Sequence, residues 1–141
     1  MYGDTTVIRA RAREMRGRAG EIRTIADELA GRAASVPWHG LAADAMRRAA
    51  GDHATRLRGC AAAHDSAADA LERHAREVDH LKEVIATIEH RVRHLLDSAA
   101  GGLAGLVGHV LPDPVEHWAR HFDPPLPGSR AWLDVDLPRS A

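Results

Sequence analysis

The sequence predicts an all-α protein, an antiparallel two-helix hairpin with a short C-terminal helical segment and a proline-rich tail. Before residue 37, two seven-residue apolar series run side by side: Ile8, Met15, Ile22, Leu29 and Val36, with Ala12, Ala19, Ala26 and Ala33. After residue 40, two more follow: Ala43, Ala50, Leu57, His64, Leu71, Val78, Ile85 and Val92, with Met46, His53, Cys60, Ala67, His74, Leu81, Ile88 and Leu95. Paired series of this spacing are typical of helices that pack side by side.

Helix 1 is expected to begin at a cap formed by Asp4, Thr5 or Thr6 and to end at about residue 35. The break comes at Val36-Pro37-Trp38-His39-Gly40. Proline lacks a backbone N–H and disfavours helical backbone in the residue before it, so the helix stops there. Glycine can adopt backbone angles closed to other residues, and the Trp offers apolar surface to the end of a hairpin.

Helix 2 is expected to run from about Leu41 to about Ser98, because no proline intervenes before Pro112. Helix 1 is much shorter and reaches only to about residue 75 of helix 2. Six apolar residues beyond that point have no partner within the hairpin: Val78, Leu81, Ile85, Ile88, Val92 and Leu95. We interpret this stripe as a partner-binding seam, or as a surface that the C-terminal segment covers by folding back.

Two domains follow from this pattern, a hairpin over residues 1–98 and a second region over residues 99–141. The second region begins with a glycine-rich apolar run, Leu103–Leu111, which is too short to span a bilayer. It suits a flap over the end of helix 2, and the alternative is a membrane-active segment. A proline-rich tail of linker-like composition follows, interrupted by a helical turn at Val115–Phe122.

A Trp-x-Gly turn between two amphipathic helices resembles the WXG100, or ESAT-6-like, family over roughly residues 4–98, with Trp38 and Gly40 at the two signature positions. The arginine- and alanine-rich helices look most like actinobacterial members, some of which are delivery domains of secreted toxins. The resemblance implies a non-enzymatic substrate or partner protein of a type VII secretion system. It also implies a homo- or heterodimer, formed with a similar hairpin or a toxin's N-terminal domain. The route of export would be leaderless, from a cytoplasmic pool to the cell surface or medium.

Members of that family often carry a Tyr-x-x-x-Asp/Glu export signal just after helix 2. The only tyrosine of this chain is Tyr2, so the signal is missing at its usual place. Trp132 and Asp136 have the spacing with Trp in place of Tyr, but they lie far down the tail and match weakly. The departure favours a partner role in which the export signal is supplied in trans.

Composition excludes several other classes. The net charge of -1 argues against a nucleic-acid-binding protein. Residues 1–20 contain five arginines and no apolar run, so no signal peptide is expected. No stretch approaches the roughly 20 apolar residues of a spanning helix. A single cysteine, Cys60, cannot form an internal disulfide and is expected to be a small buried thiol on the seam.

Ten histidines raise the question of a metal site. His90 and His94, and likewise His117 and His121, have the four-residue spacing of zinc ligands. Neither pair belongs to an HExxH motif or has a clear third ligand, so no metal is expected. No nucleophile elbow or phosphate-binding loop is present either, which predicts no enzyme activity and no cofactor.

Three histidines fall on seam positions of helix 2, namely His53, His64 and His74. If the rings are buried, protonation near pH 6 would loosen the packing and make the seam pH-sensitive. The alternative is that each ring tilts outward or is hydrogen-bonded across the seam.

Two other functions remain open from the sequence. One is a membrane-perturbing secreted effector that uses Leu103–Leu111, although membrane contact is not favoured. The other is a cytoplasmic structural coiled coil with no role in export.

Overall fold

The structure of the chain, a computed structural model, describes residues 4–104 and 113–138. Throughout these ranges the regular secondary structure is helical and contains no strand, which confirms the all-α prediction. Helix α1 spans Thr5–Ser35, α2 spans Leu41–Ala104, α3 spans Asp113–His121, and a 3-10 helix spans Arg130–Asp134. The described residues form two compact units, the first of Asp4–Arg76 and the second beginning at Glu77.

The N-terminal end of α1 is capped by Asp4. Its Oδ1 atom accepts a hydrogen bond of 2.9 Å from the backbone N–H of Thr6, and its own backbone is extended. A helix start leaves backbone N–H groups without intrahelical partners, and a carboxylate oxygen satisfies one of them. At the other end, α1 stops at Ser35 and Val36 is extended with ψ 124°, as the following proline predicts.

The first unit, Asp4–Arg76, is built on a spine of alanines. Those of α1 are at most 7% exposed: Ala12, Ala19, Ala26 and Ala33. Those of α2 are at most 8% exposed: Ala43, Ala50, Ala54, Ala61, Ala68 and Ala75. Small side chains at the contact let two helix axes approach closely. The larger residues of the α1 series therefore flank this spine and are only half-buried: Ile8, Met15, Ile22, Leu29 and Val36.

The spine of α2 departs from the predicted register between residues 54 and 75. The expected seam positions Leu57, His64 and Leu71 are half-buried, and the fully buried residues lie three positions earlier. The companion position Cys60 is exposed, so the prediction of a buried thiol is wrong. The reason is steric. Helix α2 packs against α1 with the face that carries its smallest side chains.

Ion pairs show that α1 and α2 run antiparallel in the first unit. Arg16 pairs with both Asp69, at 2.8 Å, and Glu72. The next pairs along α1 are Arg23 with Asp65 and Asp27 with Arg58, the latter at 2.7 Å. Partner numbers on α2 fall as those on α1 rise, which defines an antiparallel register.

The second unit packs α2 against the tail of the chain. Its buried cluster consists of Ile85, Val92 and Trp132, which are at most 5% exposed. Trp118 of helix α3 and Phe122, the residue after that helix, stack with ring centroids 4.4 Å apart. The cluster is completed by Ile88, Leu96, Leu133, Val135 and Leu137. The tail described here is thus folded onto helix α2, and the expectation of a linker-like tail is corrected. Aromatic rings provide the large apolar area that this packing requires.

Two helix boundaries differ from expectation. Helix α2 continues through Gly101 to Ala104, six residues beyond the predicted end, and α3 occupies Asp113–His121 where a helical turn at Val115–Phe122 was expected. Most of the apolar run Leu103–Leu111 lies outside the described residues, so the structure does not test whether it is a flap or a membrane-active segment. Among the helices that the structure describes, none combines the length and apolar character needed to cross a membrane.

Candidate functional site

The segment that joins α1 to α2 exposes apolar surface. Trp38 is 49% exposed, and Leu41, the first residue of α2, is 90% exposed. The indole is therefore not a core residue of the first unit, since half of its surface is in contact with solvent. Large aromatic residues that are held rigidly yet remain accessible are typical anchors of protein interfaces.

The backbone of this segment is held by Arg47. Its guanidinium donates hydrogen bonds of 2.9 Å to the backbone carbonyls of both Val36 and Trp38, and it lies 3.3 Å from the Asp44 carboxylate. Gly40 has φ 112°, a backbone conformation that residues with a side chain rarely adopt. The sequence alone does not indicate this role for Arg47, because a single arginine in the second turn of a helix belongs to no recognisable motif.

The predicted partner-binding stripe on α2 is covered by the chain's own tail in part. Val78, Ile85 and Val92 are buried, and Leu81, Ile88 and Leu95 are half-buried. Trp132 packs in one cluster with Ile85 and Val92, and Ile88 lies against that cluster. Residues between 118 and 137 thus pack against part of this stripe, in line with the alternative that the C-terminal segment folds back over it. The partner-binding role of the stripe stays a prediction.

The weak export-signal candidate has a structural role in this unit. Trp132 is 5% exposed, and its Nε1–H donates a 3.0 Å hydrogen bond to the Leu126 carbonyl. The backbone carbonyl of Asp136 accepts a 3.0 Å hydrogen bond from Trp118 Nε1–H. A buried indole is not accessible to a receptor, so this pair does not form a surface signal in the described conformation.

The three seam histidines do not share a buried environment. His53 and His74 are exposed, as in the alternative in which the rings tilt outward, and the pH-sensing role stays a prediction. His64 is half-buried, and its Nδ1 lies 3.0 Å from the Cys60 carbonyl oxygen within the same helix. The change of register in α2 explains this, because it turns the companion series toward solvent.

The paired histidines behave as ordinary helix-surface residues. The rings of His117 and His121 lie 4.6 Å apart, and His121 Nδ1 is 2.9 Å from the His117 carbonyl oxygen. Across residues 4–104 and 113–138, no group of three or more histidine, cysteine or acidic side chains could hold a metal ion. Two imidazoles on one turn of a helix lack the four ligands of a structural zinc site.

The ion pairs of the first unit perturb two carboxylates. A hydrogen bond from Arg16 lowers the pKa of Glu72, and the charge of that arginine lowers it further. The same contacts raise the pKa of Arg16. A hydrogen bond from Arg11 and the charge of Arg18 lower the pKa of Glu14. The Arg16–Glu72 pair joins α1 to α2, whereas Glu14 and its two arginines lie within α1.

The chain matches no protein-family model, no curated protein and no solved structure.

Proposed function

We propose that the chain is a non-enzymatic helical-hairpin substrate or partner protein of a type VII secretion system. The observation that carries the proposal is the half-exposed Trp38 beside Gly40, between two long antiparallel helices. In this proposal the indole forms part of a recognition surface, and the positive φ of Gly40 gives the connection its shape. Arg47 supports the same role, because its two hydrogen bonds hold the backbone on both sides of Pro37.

The partner in this proposal is a similar hairpin or the N-terminal domain of a toxin. The stripe from Val78 to Leu95 then serves as the partner seam only when the tail moves away, because Trp132 lies on Ile85 and Val92. Because Trp132 is buried, the proposal assigns the export signal to the partner and not to this chain. The complex would be exported by the type VII secretion machinery.

Export tests the proposal directly. The full chain would be expressed in an actinobacterial host with an intact type VII secretion ATPase and in a matched strain that lacks it, each with the genomic neighbours of the gene. We expect the chain in the culture filtrate of the first strain only. Equal amounts in both filtrates, or none in either when the neighbours are present, would contradict the proposal.

A matched pair of variants tests the role of the turn. Trp38→Ala should reduce export and partner capture at least tenfold while circular dichroism of the purified chain stays helical. Val7→Ala removes an aliphatic side chain of similar exposure, 56%, from α1 and should export as the parent does. Normal export of Trp38→Ala would show that this side chain is not recognised.

A further inference from the structure

A cleft lies between α2 and the proline-rich loop of the second unit. Its volume is about 340 Å³, which is within the range of small-molecule sites in proteins. One wall is a single face of α2, with Glu89, Val92, Arg93 and Leu96. The facing wall is formed by Pro124, Pro125, Leu126, Pro127 and Trp132. The cleft is therefore mostly apolar and has two charged side chains on one side.

The loop wall offers almost no hydrogen-bond donors to an occupant. Pro124, Pro125 and Pro127 have no backbone N–H. The indole N–H of Trp132 and the N–H of Ser129 both donate to the Leu126 carbonyl, at 3.0 Å each. These interactions are made within the loop, so polar recognition of an occupant falls to the helix wall.

On the helix wall, Glu89 is hydrogen-bonded to the loop and forms a long ion pair with Arg93, whose guanidinium is largely exposed. One carboxylate oxygen of Glu89 accepts a hydrogen bond from the backbone N–H of Gly128, and the side chain is 15% exposed. Arg93 is 70% exposed, and its guanidinium lies 4.0 Å from the other oxygen of Glu89, which exceeds hydrogen-bond distance. Its donors can therefore turn toward an anion at the mouth of the cleft, and guanidinium groups bind carboxylates in a two-pronged geometry.

We propose that this cleft binds a small organic acid, with its apolar body between Val92, Leu96 and the proline wall and its carboxylate on Arg93. Prolines and the Trp132 ring favour aliphatic or aromatic surface, and they reject polar groups that would lose their hydrogen bonds to water. A carboxylate is the end group because the exposed guanidinium of Arg93 supplies donors and positive charge. Glu89 accepts the Gly128 N–H and keeps its negative charge, so the ligand carboxylate has to bind on the side of Arg93 that faces away from Glu89. Neutral molecules of the same shape lack that contact.

Binding would be measured on the full chain by titration calorimetry with octanoate and phenylbutyrate, and with octanol and phenylbutanol as their neutral counterparts. We expect at least one acid to bind with Kd below about 1 mM and at least tenfold more tightly than its alcohol. The site of binding would be read from amide and indole NMR signals. Shifts should occur at Trp132 Nε1–H and Gly128 N–H, with none at Trp38 Nε1–H.

Arg93→Gln should weaken binding of the acid roughly ten- to hundredfold and leave that of the alcohol unchanged, because a charged hydrogen bond is lost. The matched control is Arg91→Gln, an exposed arginine of the same helix outside the cleft, which should bind as the parent does. The proposal is overturned if neither acid binds below about 1 mM. It is equally overturned if Arg93→Gln binds the acid as tightly as the parent, or if the shifts occur away from Trp132.

Discussion

Arg16 is the residue that ties the two helices of the first unit most closely. Its guanidinium contacts Asp69 and Glu72, one helical turn apart on α2. A fork of donors that meets two carboxylates favours one register, since a shift of α1 by one turn would move Arg16 away from one of the two carboxylates. Exposed ion pairs contribute little to stability by themselves, so their main effect is on which residues face each other.

The lowered pKa values of Glu72 and Glu14 predict a loss of stability in acid. Above the usual carboxyl pKa of 4.5, both groups are ionised in the folded and unfolded states and the ion pairs are complete. Below it, the unfolded state binds protons first, so the free energy of unfolding falls until the lowered folded pKa is passed. Thermal melts at pH 7.5 and pH 6 should agree, and Tm should drop between pH 5 and pH 3.

Glu72→Gln should lose part of this acid dependence and have a lower Tm at pH 7.5. The exposed Glu21 of α1 provides the control, because Glu21→Gln should melt as the parent does at each pH. A large drop in Tm between pH 7.5 and pH 6 would instead indicate histidine titration. That outcome would support the pH-sensing role predicted for His53, His64 and His74.

Trp132 is the residue on which the second unit most depends. Its indole is 5% exposed and packs with Ile85 and Val92, so Trp132→Ala should destabilise this unit by roughly 3–5 kcal/mol. Hydrogen exchange would report the change as lost protection of α2 amides near residues 85–92. Trp38→Ala, at a 49% exposed indole, should leave that protection intact. Equal loss in the two variants would show that Trp132 is not a core residue.

At the scale of the helix, α2 uses two kinds of buried face along one continuous segment. From Ala43 to Ala75 its buried residues are alanines, and from Val78 to Val92 they are branched aliphatics. The first kind suits close contact with another helix, since methyl groups leave little space between the backbones. The second kind suits aromatic rings, which fill a wider gap.

An alanine spine predicts sensitivity to added volume. Ala61 is 0% exposed, and Ala61→Leu would force α1 and α2 apart at a cost of roughly 1–3 kcal/mol in unfolding free energy. Ala63→Leu adds the same atoms two residues away at an exposed position and should change stability by less than about 0.5 kcal/mol. Urea titration of both variants measures this. Similar midpoints for the two would show that the spine is not tightly packed.

At the scale of the whole molecule, the two units have cores of different origin. The first unit, Asp4–Arg76, pairs two helices of the chain along alanines. The second gains its core from a tail with six prolines, whose aromatic residues return to α2. Because a bare aliphatic stripe in water promotes aggregation, the tail determines how the end of α2 behaves.

Removing the tail should expose that stripe. A chain that ends at Ala104 loses Trp118, Phe122 and Trp132 from the cluster with Ile85 and Val92. We expect it to bind the dye ANS strongly and to form oligomers in sedimentation experiments, while the first unit keeps its amide protection. A chain that ends at Pro138 should behave as the parent. A monomeric, ANS-negative chain ending at Ala104 would contradict this role for the tail.

Local sequence determined the elements of this protein. Asp4 as a cap, Pro37 as a stop and the seven-residue series each act within a few residues, and they placed α1 and the start of α2 where the structure has them. The turn candidates Trp38 and Gly40 came from the same local pattern. The end of α2 was placed six residues too early, because glycines at 101 and 102 weaken a helix without ending it.

Only the tertiary structure decided which residues are buried and what covers them. The seven-residue spacing predicts that α2 contacts α1 through Leu57, His64 and Leu71. Alanines form that contact instead, because how closely two helix backbones approach depends on how both helices fit together. The burial of Trp132 could not be predicted from local sequence either, because its partners Ile85 and Val92 lie about forty residues away in the chain. A tail of proline-rich composition gives no local signal of such a contact. The cleft beside Arg93 follows from that long-range packing, so it could be found only once the tail was in place.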